Sequence, residues 1–415
     1  MIESLGAAPW MTRSSTRGVI AALEAAGGPG CARFVGGCVR NAILKRPIDD
    51  IDIATTLTPS EVIRALVAAG LKAHPTGVEH GTVTAVAEGR PFEITTLRRD
   101  VETDGRRAVV AFTTDWAEDA QRRDFRLNAL YADPNGRLYD PTAGGLADAR
   151  AGRIVFVGDA ETRIREDALR ILRFFRFYAW YGRGEPDATA LAACADLREL
   201  VRALSAERVS AELLKLLAAE DPRAALRLMA QAGVLALVLP EARGLERLEQ
   251  LVAIETEQLF SEDALLRLAA LLPDDPATAA RLAERLRLSN AQRDRLAAAL
   301  NPQPRLVSWM SPKETRQLVY RLGLQAFCDR ATLGWAAGRP AAATQWRALL
   351  PTAQSFPVPR LPMTGEEVMA AGVPEGPLVG EVLREVEAWW IDNDFPNDKL
   401  ALIERLKAVA QGMAY

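Results

Sequence analysis

Asp50 and Asp52 are separated by a single residue, and both follow Gly36-Gly37 and Arg40 in the stretch 36–52. Ile51–Ala54 alternates apolar and acidic residues, as a strand with one buried face does, and strand residues two apart project to one side. Two carboxylates side by side repel each other and are costly unless a divalent cation sits between them. Hard oxygen donors select Mg²⁺, which keeps waters and takes its remaining ligands from substrate phosphates. Such a pair suits an in-line phosphoryl displacement. The two glycines let the backbone turn sharply off a strand and come close to a ligand. Amides at the start of the following helix then face a phosphate, with Arg40 adding a cation. A lone Gly-Gly is usually a turn and a lone Asp-x-Asp is usually solvated. The ordered combination is what carries the chemistry.

Positioning these groups requires strands that end in bends, and the first third of the chain supplies them. Ala32–Val35 is a β-type run ending at Gly36-Gly37, and Val39–Leu44 reads as a short helix. Pro59 after Thr58, a suitable N-cap, opens a helix to about Ala69. Thr82–Ala87 and Phe92–Thr96 read as strands joined by a tight turn at Glu88-Gly89-Arg90. Arg99–Thr114 is polar and contains Gly105, which predicts a mobile loop, with a helix from about Asp115 into Arg123 after it. Beyond about Arg150 strand signals disappear. Helical periodicity takes over, as in Ala206–Ala219 and Pro222–Ala232. Asn301–Pro312 and Leu350–Pro362 are proline-rich candidate hinges.

Composition narrows the function classes. No apolar run approaches the roughly 20 residues that span a bilayer, and the longest, Ile171–Tyr181, is interrupted by Arg173 and Arg176. The N-terminus lacks an apolar h-region, so a cytoplasmic location and no membrane partner are expected. Cys31, Cys38, Cys194 and Cys328 form no Cys-x-x-Cys pair, and His74 and His80 are the only histidines. This argues against zinc sites and histidine-rich phosphohydrolase modules. The net charge of −3 excludes a basic coat for nucleic acid. From Arg150 to Arg183, however, eight arginines face four acids, which suits polyphosphate or RNA, or else a solvated helix face.

Phe34-Val35-Gly36-Gly37-Cys38-Val39-Arg40 with Asp50-Ile51-Asp52-Ile53-Ala54-Thr55 resembles the head motif of class II CCA-adding tRNA nucleotidyltransferases and bacterial poly(A) polymerases. Arg122-Arg123-Asp124-Phe125 with Asn128-Ala129-Leu130 resembles the family's ribose-binding motif. Arg165–Arg176 resembles its nucleobase-reading helix, and Glu207-Arg208-Val209 with Glu212-Leu213 the helix that supports it. The similarity covers about residues 30–240. It implies an α+β fold in which a polymerase-β-like nucleotidyltransferase head with a small mixed sheet precedes an all-α neck, body and tail. One departure is visible. The family usually has an acid after the motif arginine, where this chain has Asn41, which leaves the local loop–helix contact open.

Asp167 and Arg170, spaced i,i+3 on the expected helix, are neighbours on its surface. A carboxylate accepts and a guanidinium donates. Cytosine and adenine each set an amine donor beside a ring-nitrogen acceptor, whereas uracil and guanine reverse that order. One Asp–Arg pair thus accepts C and A and leaves U and G unpaired. An ordinary surface ion pair, worth about 0.3–0.5 kcal/mol, is the alternative. By resemblance Arg173 and Arg176 contact the nucleotide, its triphosphate or the primer end, and Gly36, Gly37, Arg40, Arg123 and Asp124 also bind nucleotide. Leu172, Phe174 and Phe175 read as core. Glu93 either orients the attacking 3′-hydroxyl and accepts its proton or faces solvent. For His80 a structural hydrogen bond is expected.

The expected division is a catalytic head at 1–150, a nucleobase-selecting neck at 151–220 and an RNA-binding body and tail at 221–415. The expected reaction is template-independent addition of C, C and A to a tRNA 3′ end from CTP and ATP, with Asp50 and Asp52 as Mg²⁺ ligands. Poly(A) polymerase, a CC- or A-adding specialist, and a non-catalytic RNA-binding protein are the alternatives. Paired carboxylates facing an anionic ligand speak against the last. Trp389-Trp390 is expected to pack internally.

Overall fold

The apolar run Ala32–Val35 forms strand β1, antiparallel to β2 (Asp52–Thr55) with Phe34 opposite Ile53, in a computed structural model that describes residues 3–6, 8–104 and 107–413. Chain order then gives β3 (Lys72–Gly77), β4 (Thr82–Ala87), β5 (Arg90–Thr96), β6 (Arg98–Asp104), β7 (Arg107–Phe112), β8 (Tyr131–Ala132) and β9 (Leu138–Tyr139). Seven of them build one mixed sheet in the order β3-β4-β5-β2-β1-β8-β9. β2 runs parallel to β5, with Asp52 opposite Glu93 and Ile53 opposite Ile94. Phe34, Ile53, Val83 and Ile94 are buried almost completely, each contributing about 1.5–3 kcal/mol by leaving water. Helices Ser14–Gly27 and Pro59–Ala68 pack on each other and on β4. Thr58 and Glu61 cap the second reciprocally, the Thr58 N–H donating to Glu61 Oε2 at 2.8 Å.

Several expectations need correction. Asp50 lies outside β2, on irregular backbone that precedes it. The stretch read as a loop over 99–114 contains the antiparallel pair β6–β7. Gly105, on which that reading centred, is outside the described residues. β3 was not foreseen. It is a polar, largely exposed edge strand and therefore lacks the apolar alternation by which strands are recognised. The β4–β5 turn is tighter than expected, because Arg90 already pairs with Ala87.

The elements around the site are α1 (Gly37–Ile43), α2 (Trp116–Gln121), α3 (Ala160–Glu166), α4 (Leu169–Tyr181) and α5 (Ala206–Leu217). No single helix carries both Asp167 and Arg170. Asp167 has extended backbone, φ −151° and ψ 105°, at the end of α3, and α4 starts two residues later. Phe174 and Phe175 are fully buried, as expected of core residues.

By compactness the chain forms two units, 1–240 and 241–415. The second is helical from Glu246–Gln258 to Lys399–Met413. Its C-terminal core gathers Val382, Val386, Leu402 and Leu406 around Trp390, with Trp389 packed beside it. Both tryptophans thus pack internally. Among the described residues no helix is long and apolar enough to cross a membrane.

Candidate active site

Because β1 and β2 are antiparallel, the end of β1 meets the start of β2. This topology sets Gly36 beside Asp52. Gly36 has φ +70° and ψ −124°, a region open to glycine alone, and a Cβ there would lie 3.7 Å from Arg123 Nη1 and 3.9 Å from Asp52 Oδ2. One residue on, a Cβ at Gly37 would lie 3.8 Å from Arg40 Nη2. The Cys38 thiol donates to the Val35 carbonyl at 3.3 Å and lies 3.7 Å from that of Asp52. Burial pushes this thiol up to about 12.

Glu93 stands opposite Asp52 on the parallel neighbour β5, so both carboxylates leave the sheet on one side. Burial first, and then Glu93, raise the Asp52 carboxyl to about 6; Asp50 adds to the rise, and Arg123 and Arg40 oppose it. A carboxyl held in this way is short of positive charge, which a divalent cation would supply. Among the described residues no group of three or more His, Cys, Asp or Glu encloses a metal by itself. The donor set therefore fits a hard cation that takes the rest of its shell from water and phosphate.

Around this cluster lies a frame of arginines bound to acids. Asp119, 1% exposed, accepts from Arg122 Nε at 2.8 Å, Arg123 Nη2 at 2.9 Å and the Tyr131 hydroxyl at 2.7 Å. Burial alone would raise its carboxyl, but Arg123 and Arg122 hold it at about 2. Asp124 likewise sits at about 2, burial being outweighed by Arg173 and Asn128. It accepts from Arg173 Nε at 2.8 Å and from Asn128 Nδ2 at 3.1 Å. Asn128 Oδ1 in turn accepts from Arg40 Nη1 at 2.6 Å. Arg40 is 7% exposed, donates from Nη2 to the Tyr181 hydroxyl at 2.7 Å, and lies 4.0 Å over that ring. Arg176 pairs with Glu212 of α5 at 2.7 Å.

Asp167 and Arg170 do not pair with each other. Asp167 Oδ2 accepts from Arg208 Nη2 of α5 at 2.7 Å, and its Oδ1 accepts from the Leu169 N–H at 3.1 Å. Arg170 Nη1 donates to Glu166 Oε2 at 2.5 Å and to the Arg163 carbonyl at 2.7 Å. The break between α3 and α4 separates the two side chains, and each has its own anchor. His80 departs from expectation, since its imidazole is 60% exposed and its backbone carbonyl, rather than the ring, accepts from Arg98.

Sequence reasoning missed Asp119, Tyr131, Glu166 and Tyr181. Asp119 had a local signal, lying three and four residues before two arginines. Tyr181 had none, because its partner Arg40 is 141 residues away.

Residues 32–155 match the family model "Poly A polymerase head domain", and residues 185–245 match "Probable RNA and SrmB- binding site of polymerase A". The mitochondrial CCA tRNA nucleotidyltransferase 1 of Mus musculus is 31% identical over 90% of this chain and 86% of its own. The CCA-adding enzyme of Latilactobacillus sakei is 32% identical over 94% and 96%. Among solved structures, the Bacillus stearothermophilus CCA-adding enzyme in complex with CTP superposes with a TM-score of 0.77 at 28% identity, covering 97% of this chain and all of that one.

Proposed function

The chain belongs to the CCA-adding tRNA nucleotidyltransferases, and from that premise we propose how its residues carry out the reaction. The enzyme adds C, C and A to the tRNA 3′ end from CTP and ATP and releases pyrophosphate. In each cycle the RNA 3′-hydroxyl attacks the α-phosphorus, a new P–O bond forms, and the bond to the β-phosphate breaks. Asp50 and Asp52 would hold a divalent cation, and their hard oxygen donors favour Mg²⁺. When bound, it neutralises charge on the reacting phosphate and the departing pyrophosphate.

The remaining steps belong to side chains already placed. Glu93, opposite Asp52, orients the attacking hydroxyl and accepts its proton. The bend at Gly36-Gly37 lets the triphosphate approach the backbone, with positive charge from Arg40 and Arg123. Asp124 orients Arg173, and Glu212 orients Arg176, toward the nucleotide. Asp167 and Arg170 select cytosine and adenine, and their separate anchors Arg208 and Glu166 fix an acceptor and a donor before the base arrives. Such fixed polar groups reject bases that leave them unpaired. Residues 1–150 act as the head, 151–220 as the neck, and 221–415 bind RNA through shape and phosphates. Free cysteines at all four positions fit a reducing cytoplasm.

What supports this reading above all is the raised Asp52 carboxyl beside Glu93 and the Gly36 bend. Its test is purified protein with tRNA lacking the last three nucleotides, each nucleoside triphosphate alone and in combination, and sequencing of the products. CTP alone should add two C, and CTP with ATP should complete CCA. Long A tails from ATP alone would overturn the assignment.

A further inference from the structure

We propose that Asn41 is the positioning residue for Asp50, an inference that rests on the reading of Asp50 and Asp52 as the cation-binding pair. Asp52 needs no such help, because its backbone pairs with Glu93 of β5 and the next residue, Ile53, is held between Phe34 of β1 and Ile94 of β5. Asp50 is exposed and sits on the irregular stretch 46–51, outside that register. Among the described residues one side-chain hydrogen bond reaches residues 46–50, and Asn41 makes it: its Nδ2 donates to the Pro47 carbonyl at 2.8 Å. The Asn41 backbone carbonyl also accepts from the Arg46 N–H at 2.9 Å. Asn41 therefore holds the segment twice where it leaves α1, while the Arg46 guanidinium rests 5.0 Å over the Tyr181 ring.

The other end of the amide is engaged too. Asn41 Oδ1 accepts from Arg40 Nε at 3.1 Å and Nη2 at 2.9 Å. One side chain thus ties a buried cation to the segment that carries Asp50. The amide serves both ends, accepting at Oδ1 and donating at Nδ2. An aspartate would keep the acceptors for Arg40 but turn an oxygen toward the Pro47 carbonyl oxygen, and like poles repel. In this chain the amide therefore gives the loop a tether that an acid, the family's usual residue here, would not supply in the same geometry.

The test measures Mn²⁺ binding to the full chain with CTP and without tRNA, by electron paramagnetic resonance of the free ion. Wild type, Asn41→Asp, Asn41→Ser and Asp50→Ala are compared, each with a melting curve. Both Asn41 variants should bind Mn²⁺ about 10–100-fold more weakly, the usual cost of losing a residue that orients a ligand. In N41D the KM for CTP at saturating metal should stay near wild type, since the contacts to Arg40 persist. Wild-type Mn²⁺ affinity in both Asn41 variants, with D50A deficient, would overturn the positioning role. Weakening confined to a variant that has lost its native melting transition would count against it equally. Wild-type affinity in D50A would instead sink the parent reading of the carboxylate pair.

Discussion

Asp52 and Asp119 belong to one compact unit, the first half-buried and the second buried, and their surroundings differ in charge. Asp119 meets two guanidinium groups and a phenol, and its carboxyl falls to about 2. Asp52 meets Glu93 and Asp50, and its carboxyl rises to about 6. A buried acid surrounded by arginines is part of the frame, because its charge is already answered. A half-buried acid beside two other carboxylates is poised for a cation, because Arg123 and Arg40 answer its charge only in part. The contrast separates structure from chemistry among residues of one type, without reference to sequence position.

Removing each acid should therefore produce a different kind of damage. Asp52→Asn should lower the rate of CMP incorporation by on the order of 10³-fold or more, as expected when several kcal/mol of metal-assisted stabilisation is lost. Its melting temperature should not fall; a stable D52N with substantial turnover would break the comparison. Asp119→Ala should do the reverse and cost about 3–5 kcal/mol in denaturant unfolding, because Arg122 and Arg123 lose the carboxylate they bury against. A loss below about 1 kcal/mol would show that the frame does not depend on this acid.

The two acids should also respond oppositely to pH. In metal-free protein the raised Asp52 carboxyl binds a proton between about pH 6 and the ordinary aspartate value near 4, where the unfolded chain does not. The native state then holds more protons, so this contribution to stability grows as pH falls through 6 and is lost as pH rises through it. D52N should consequently be more stable than wild type at pH 7, by about 1–3 kcal/mol, and the difference should vanish near pH 4. Asp119, with its carboxyl lowered, contributes stability above about pH 4 that is lost toward pH 2. Unfolding curves from pH 2 to 8 would reveal both trends, and a D52N difference independent of pH would contradict the first.

The smallest effect is expected at Asp167, which lies between the extremes. It is paired with Arg208 but is 27% exposed. Arg208→Ala should cost less than about 1 kcal/mol in stability while relaxing the preference for CTP and ATP over UTP and GTP. Unchanged selectivity would remove Arg208 from the anchoring of Asp167.

Much of the head was legible because its signals are local. β1, the capped helix after Thr58, β4 and β5 follow from apolar runs, caps and turn residues a few positions apart. The order of the glycine bend and the aspartates was legible for the same reason. What escaped reading depended on distant partners or on a missing pattern. Nothing near Asp167 announces that α3 ends there, since 165–176 carries continuous helical periodicity and the break is held by Arg208, 41 residues on. β3 exposes most of its residues and offers no alternation. Arg40 reads as a phosphate ligand in sequence, yet in the fold it is also a strut between Asn128 and Tyr181.

Cys38 gives the start of β2 a built-in clock. The residue is 2% exposed and its sulfur lies against the main chain of Asp52, and a thiol held so far above neutrality has almost no reactive thiolate. Alkylating reagents can therefore reach it only during transient separation of the glycine bend from β2. The labelling rate of this one sulfur, followed by mass spectrometry, would report the opening free energy between the glycine bend and β2, separately from global unfolding.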